Sequence, residues 1–278
     1  MTGKKNKGFI ATILFSIISV LYVAPLLIVL MNSFKRKAYI NREPFSLPDD
    51  KSFAGTDNYT AGIEKTEFFN AFLCSLVITV LSVLLIILCT SMCAWYITRV
   101  RNVFTRLIYF LFVFSMVVPF QMVMFTLSKT ADFLRLNNPI GIALVYLGFG
   151  AGLAVFIFSG FIKSVPVEIE EAAAIDGCGP VRAFFTVIIP ILKPTLISVT
   201  ILQTMWIWND FLLPYLVLDR KRFSTIPIAV QYLRGGYGAV DMGAMMAVLV
   251  LSIIPILVFY FLCQKYIVKG VISGAVKG

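Results

Sequence analysis

The chain is expected to be an all-α membrane protein, six transmembrane helices with one amphipathic helical loop between the fourth and fifth. Three observations carry that expectation. Hydrophobic residues make up 59% of the 278 residues and charged ones 14%, against ~25% charged in a soluble domain. Five stretches are uncharged over the ~20 residues a helix needs to cross ~30 Å of hydrocarbon, and a sixth carries one charge. None of them alternates apolar and polar residues with the period of two that marks a membrane β-barrel.

The first span, 8–33, follows Lys4, Lys5 and Lys7. It exceeds the roughly 7–15 residues of a signal-peptide core and no small-x-small motif closes it, so it is read as retained. A polar loop over 34–67, with Pro44, Pro48 and Gly55, leads to the second span, 68–98. The third, 107–128, holds Pro119, where a kink is expected. The fourth covers 136–162, the amphipathic loop 163–193, and the fifth 194–218 with the lone charge Asp210. A second polar loop, 219–241, contains the glycine-rich "QYLRGGYG", and the sixth span covers 242–264. An even number of spans puts both termini on one side.

Charge does not orient the bundle. The 24 Lys and Arg divide twelve and twelve between the two sides; half of one set lies in the long 34–67 loop, and long loops cross largely regardless of charge. The net charge of +10 fits anchoring beside anionic lipid and gives no reason to expect nucleic acid. The chain has no histidine, which removes histidine triads and histidine metal sites. Its five cysteines form no C-x-x-C pair and read as small packing residues, not a metal or redox site. No G-x-x-x-x-G-K-[ST] loop is present, so the chain is not expected to hydrolyse a nucleotide by itself.

The loop 163–193 is where local chemistry is densest. Pro166 suits a first helical position, and Glu168, Glu170 and Glu171 favour the positive end of a helix dipole. Ile169, Ala172, Ala173 and Asp176 recur at helical spacing, so both alanines are expected on one face that a partner backbone could approach. Gly177 supplies a left-handed stop. Gly179-Pro180 starts a second short helix, with Ala183, Phe184, Val187 and Ile188 as its apolar stripe, and Pro190 is expected to end it. An exposed helical elbow results, fitted either to a soluble partner or to the lipid surface.

These residues carry a resemblance. Glu171-Ala172-Ala173, then Gly177, Val187, Ile189 and Pro190, is similar to the signature cytoplasmic loop of ATP-binding-cassette (ABC) importer permeases. With "SVPVEIEEAAAIDG", "WIWNDFLLPYL" and "KYIVKGVISGAVKG", nearly the whole chain resembles the MalG-type permeases of the carbohydrate-uptake family. Two places depart from that pattern: Cys74 stands where Asn is frequent, and "PFQMVMFTL" replaces an "IPLY"-like ending of the third span.

The resemblance implies a type I ABC importer permease fold in a bacterial or archaeal cytoplasmic membrane, with both termini cytoplasmic. It implies a second, MalF-type permease, two MalK-type ATPases that bind the ATP and Mg, an extracytoplasmic solute-binding protein, and a sugar, an oligosaccharide by preference, as cargo. No cofactor is expected in this chain. The ATPase-coupling residues would be Glu171, Ala172, Ala173, Asp176, Gly177 and Pro190. The tail 270–278 would tuck against the ATPases, and "QYLRGGYG" would reach the binding protein.

Asp210 should face the bundle, because a lipid-facing Asp costs ~2.5–3.5 kcal/mol. Gln203, Trp206 and Asp210 at i, i+3 and i+7 would then share one helical stripe suited to sugar. Asn209, and Gln121 beside the Pro119 kink, are further candidates for the translocation path. Trp206, Trp208, Asn209 and Asp210 read equally as an interhelical polar clamp with aromatic anchors. Uptake of glycerol phosphates is the nearest alternative cargo, disfavoured because no Lys or Arg lies inside a span. A secondary transporter or channel would call for charge relays or inverted repeats, and none is visible.

Overall fold

In a computed structural model the chain is built of helices and connecting loops over the described residues, which are 2–233 and 240–275, with side chains described over 11–233 and 240–266. The exception to helix and loop is one isolated antiparallel bridge between Lys35 and Phe53. Two units are distinguished: Met1–Phe69 with Ala229–Ile256, and Asn70–Ile228 with Leu257–Gly278.

In the first unit, α1 (Thr2–Ser33) is apolar on every side from Ala11 onward and leaves large side chains uncovered, Phe15 at 67% and Tyr22 at 81% exposure. A helix apolar all round suits hydrocarbon rather than water. At its end the chemistry inverts into a buried polar knot. Lys35, fully buried, donates from Nζ to the Glu43 carbonyl (2.8 Å) and Ser46 Oγ (3.3 Å). Asn32 Nδ2 donates to the carbonyls of Ile28 and Pro44, and Ser33 Oγ lies 2.7 Å from the Tyr59 hydroxyl. Asn58 Nδ2 donates to the carbonyls of Ser33 and Lys35. The 34–67 segment is thereby a folded cap with its own helices, α2 (Lys37–Arg42) and α3 (Asp57–Lys65). Gly62 of α3 lets α13 (Met242–Ala275) approach, since a Cβ there would lie 2.8 Å from Val248 and 3.1 Å from the Ala244 carbonyl. An ion pair between Lys65 and Asp241 joins the same two segments.

The second unit is organised on α7 (Pro139–Ile162), started by Asn138, whose Oδ1 accepts the N–H groups of Ile140 and Gly141. Tyr146, Ala154, Val155 and Phe158 on it are fully buried. Its glycines act as notches: a Cβ at Gly150 would fall 2.6 Å from Ile86 of α4 (Phe68–Arg99), and one at Gly152 would fall 2.7 Å from the Phe112 carbonyl of α5 (Val103–Ser115). Small residues are what allow such backbone approach where lipid supplies no hydrophobic drive between helices. Ser75 Oγ, two turns into α4, accepts the Ile226 N–H at 2.9 Å.

Five described helices are long and apolar enough to cross a membrane, and six if α5 and α6 (Phe120–Phe133) count as one. In that pair, within the span read as 107–128, the kink expected at Pro119 is a bend of 105°. The break lies over 116–119, where Pro119 cannot continue a helix for want of an N–H and instead precedes α6 as its N-cap, φ −63° and ψ 134°.

The fifth span departs from expectation. α9 (Pro180–Ala183) passes through a π-turn, Phe184–Ile188, into α10 (Ile189–Asn209). Pro190 therefore does not stop the helix. The π-turn meets it with a wider register, in which the Ile189 N–H bonds back to the Phe184 carbonyl. Pro190 then sits in the first turn of α10, where no intrahelical donor is missed. At the other end α10 stops at Asn209, Asp210 is extended (φ −75°, ψ 122°), and α11 (Leu212–Val217) follows. The C-terminal segment stays helical to Ala275 in α13. The tip 234–239 within "QYLRGGYG" and residues 276–278 lie outside the described residues.

Candidate functional site

The elbow after α7 forms from local rules. α8 (Glu168–Ile175) carries Glu168, Glu170 and Glu171 in its first turn, where carboxylates face unpaired N–H groups and the positive helix end. It starts two residues after Pro166, with Val167 at the N-cap, because the Val167 carbonyl accepts the N–H groups of Glu170 and Glu171. Its exit is a Schellman closure. The Cys178 N–H reaches the Ala173 carbonyl (2.9 Å), the Gly177 N–H reaches the Ala174 carbonyl (3.0 Å), and Gly177 has φ +79°. Nothing lies within 4 Å of a Cβ placed at Gly177, so glycine is required there by backbone conformation and not by space.

Glu171, Ala172, Ala173, Asp176 and Gly177 come together on this one turn and a half, whereas Pro190 lies in α10. The expected bare face of two alanines is corrected: Ala173 is buried, Ala172 is exposed. Consecutive helical residues point ~100° apart, and here they part company. The outward surface is Glu171, Ala172 and Asp176 beside Ile175, which is 86% exposed. The Ala183, Phe184 and Ile188 stripe packs inward, all three being buried.

The residue that holds the elbow is Glu170. Its Oε2 accepts Trp95 Nε1–H at 2.9 Å, and its Oε1 accepts Arg99 Nε–H at 2.8 Å, with the second Arg99 nitrogen at 2.6 Å. Arg99 also donates to the Val165 carbonyl at 3.0 Å. A carboxylate gripped by a forked guanidinium is a strong, directional contact, and it fastens α8 to the last turn of α4. From the sequence Glu170 is expected only as an acid at the positive end of a helix. Two signals were available: Trp95 and Arg99 stand four apart on one face, and Glu170 stands three before the inward Ala173.

Of the candidate path residues, Gln203, Trp206 and Asp210 all meet one face of α7, at Gly150 and Tyr146, whereas Asn209 and Gln121 lie apart from them. Gln203 is buried, its Nε2 donating to the Gly150 carbonyl at 3.3 Å. Trp206 is 42% exposed and meets the Tyr146 ring edge to face at 5.5 Å. Asn209 is exposed and donates to the Met205 carbonyl, and Gln121 is exposed in the first turn of α6. Because α10 ends before Asp210, helical spacing from Gln203 does not place that carboxylate. Tyr146 does: its hydroxyl donates to Asp210 Oδ2 at 2.9 Å, while Oδ1 accepts the N–H groups of Leu212 and Leu213 at the start of α11. Asp210 thus ties α7 to α11.

Asp210→Ala is expected to lower stability by about 2–4 kcal/mol, the sum of a lost cap and a buried Tyr146 hydroxyl left without its acceptor. Asp210→Asn, which keeps one acceptor oxygen for the Leu212 and Leu213 N–H groups and can donate from Nδ2 to the Tyr146 hydroxyl oxygen, should cost under half of that. Thermal unfolding of the purified full chain in detergent reads the difference, and equal losses would remove the capping account.

Among the described residues no group of three or more His, Cys, Asp or Glu is placed to hold a metal ion. Residues 86–273 match the family described as "Binding-protein-dependent transport system inner membrane component". The chain is 37% identical over 269 residues, covering 97% of both chains, to the probable starch degradation products transport system permease protein AmyC of Thermoanaerobacterium thermosulfurigenes. It is 33% identical over 258 residues, covering 92% of this chain and 84% of the relative, to the diacetylchitobiose uptake system permease protein NgcG of Streptomyces coelicolor. In fold it resembles a chain of a bacterial ABC transporter involved in import of the acidic polysaccharide alginate, with a TM-score of 0.80 at 20% identity, covering 96% of this chain and 98% of that one. A family match over more than half the chain, with relatives this similar along almost its entire length, makes the protein a multi-pass membrane component of the binding-protein-dependent transport family, and within it a permease of the carbohydrate-uptake ABC importers.

Proposed function

We propose that this permease moves oligosaccharides across the cytoplasmic membrane by alternating access, and that α8 is the plug through which separate ATPase subunits drive it. One observation supports the reading above others: the elbow is exposed at its tip yet rigid at its root. Glu170 fastens it to α4, and from Pro180 to Asn209 it runs without a break into the fifth span. Those 30 residues make a lever of about 45 Å at 1.5 Å per residue. A push on the tip is transmitted instead of being absorbed in a loop.

In this reading ATP and Mg belong to two MalK-type ATPases, and this chain contributes no hydrolysis. A MalF-type permease supplies the other half of the pathway, an extracytoplasmic binding protein delivers the sugar, and both termini face the cytosol. The family description names dependence on a binding protein, and the similar permeases are named for starch products and diacetylchitobiose; both support an oligosaccharide cargo. Each conformation must be stabilised by a different ligand, since a ligand shifts an equilibrium only by its unequal affinity for the two states.

The test is a crosslink. In a variant lacking the five native cysteines, Ala172→Cys is paired with single cysteines on the candidate ATPase. An adduct whose yield changes with ATP is the expected result. A transport-competent preparation that never forms one would overturn the docking role.

A further inference from the structure

Where α4 ends, α5 begins and α7 ends, the second unit holds a cavity of ≈ 330 Å³. Its polar lining includes Arg101, Asn102, Arg106, Tyr109, Ser159 and Lys163, and no carboxylate lines it. Among the described residues, neither arginine nor Lys163 has an acidic partner within 4.0 Å, in contrast to Arg99 one turn away. Lys163 Nζ is instead held over the Tyr109 ring, 5.2 Å from its centroid. The inner wall supplies a separate sign that something is missing. Ser159 is 1% exposed and its Oγ has no hydrogen-bond partner, a state that native interiors rarely tolerate.

We propose that this cavity binds the phosphate headgroup of an anionic phospholipid. Three cationic side chains around one cavity suit a phosphate diester, and Ser159, whose buried hydroxyl has no acceptor, stands among the lining residues. The location fits a lipid. Span ends lie at headgroup level, and basic pockets between span ends are suited to acidic headgroups.

Tyr109 has a positioning part in this site: its ring holds the Lys163 ammonium close to α5. The site is distinct from the α8 elbow, and it does not depend on which side of the membrane the elbow faces.

Native mass spectrometry of the full chain in detergent, titrated with dioleoylphosphatidylglycerol or dioleoylphosphatidylcholine, tests the proposal. Phosphatidylglycerol should bind the wild type more tightly, and Arg106→Gln with Lys163→Gln should weaken it about 30-fold, since each cation contributes about a factor of five. Ser159→Ala, which leaves the charge intact, should weaken it about fivefold. Phosphatidylcholine binding should not change, and the equally discharged control Arg220→Gln with Lys221→Gln should behave as wild type. Equal losses in that control would reduce the effect to net charge and overturn the site. Displacement of the lipid by inorganic phosphate alone would assign the cavity to a free anion. Unchanged lipid binding, with loss of ATPase association in Arg106→Gln/Lys163→Gln, would assign it to a protein contact, and either result overturns the proposal.

Discussion

Glu170→Ala is expected to abolish coupled uptake and to destabilise the permease by about 3 kcal/mol. The side chains of Glu170 and Arg99 are 14% and 16% exposed, so the pair is mostly out of water. Removing one member of such a pair leaves the other charge without compensation, which costs roughly 3–5 kcal/mol in fully buried cases; the residual exposure puts this one at the lower end. Trp95 loses its acceptor at the same time. Arg99→Met combined with Glu170→Leu should be milder than either single change, because no uncompensated charge remains. Uptake should nevertheless fail in the double variant, since the apolar pair lacks the fork that fixes α8 on α4. Thermal unfolding and sugar uptake in proteoliposomes separate the two effects. Wild-type transport in Glu170→Ala would show that the elbow moves its spans by another route.

Gly177→Val should leave the protein inserted while uptake falls at least tenfold. A non-glycine residue at φ +79° pays about 1–2 kcal/mol, more if β-branched. A Cβ there meets nothing within 4 Å, so the loss cannot be laid to packing. A series makes the cause legible. Gly177→Asn tolerates the left-handed region, so stability should fall in the order Gly, Asn, Ala, Val. If uptake follows the same order, the conformation of the turn is what coupling needs. If Asn keeps stability yet loses uptake, the bare surface of the glycine is the contact. Full uptake in the Val variant would remove Gly177 from the coupling mechanism.

Much of the elbow could be read along the chain because its chemistry is local. Acids at the front of α8 and a glycine at its end concern neighbours within a few residues, and both behave as helix-end rules require. The partner of Glu170 could not be read that way. Trp95 and Arg99 are 75 and 71 residues distant, and nothing in α8 itself announces them. The same limit explains Asp210. Its helix was extended by counting apolar residues through 218, but the backbone leaves helix at 210 and the carboxylate is positioned by Tyr146, 64 residues away.

What the sequence by itself determined is the set of apolar lengths and the punctuation between them, because lipid demands about 20 uncharged residues per crossing and helix ends follow from side chains a turn away. Only the tertiary structure decided how sharply the chain bends at Pro119 and where the fifth length widens and breaks. The 105° bend between α5 and α6, the π-turn that carries a helix past Pro190, and the end of α10 at Asn209 are set by backbone dihedrals under packing. Apolar composition is blind to these, since a bent, widened or interrupted helix presents the same residues to lipid as a straight one.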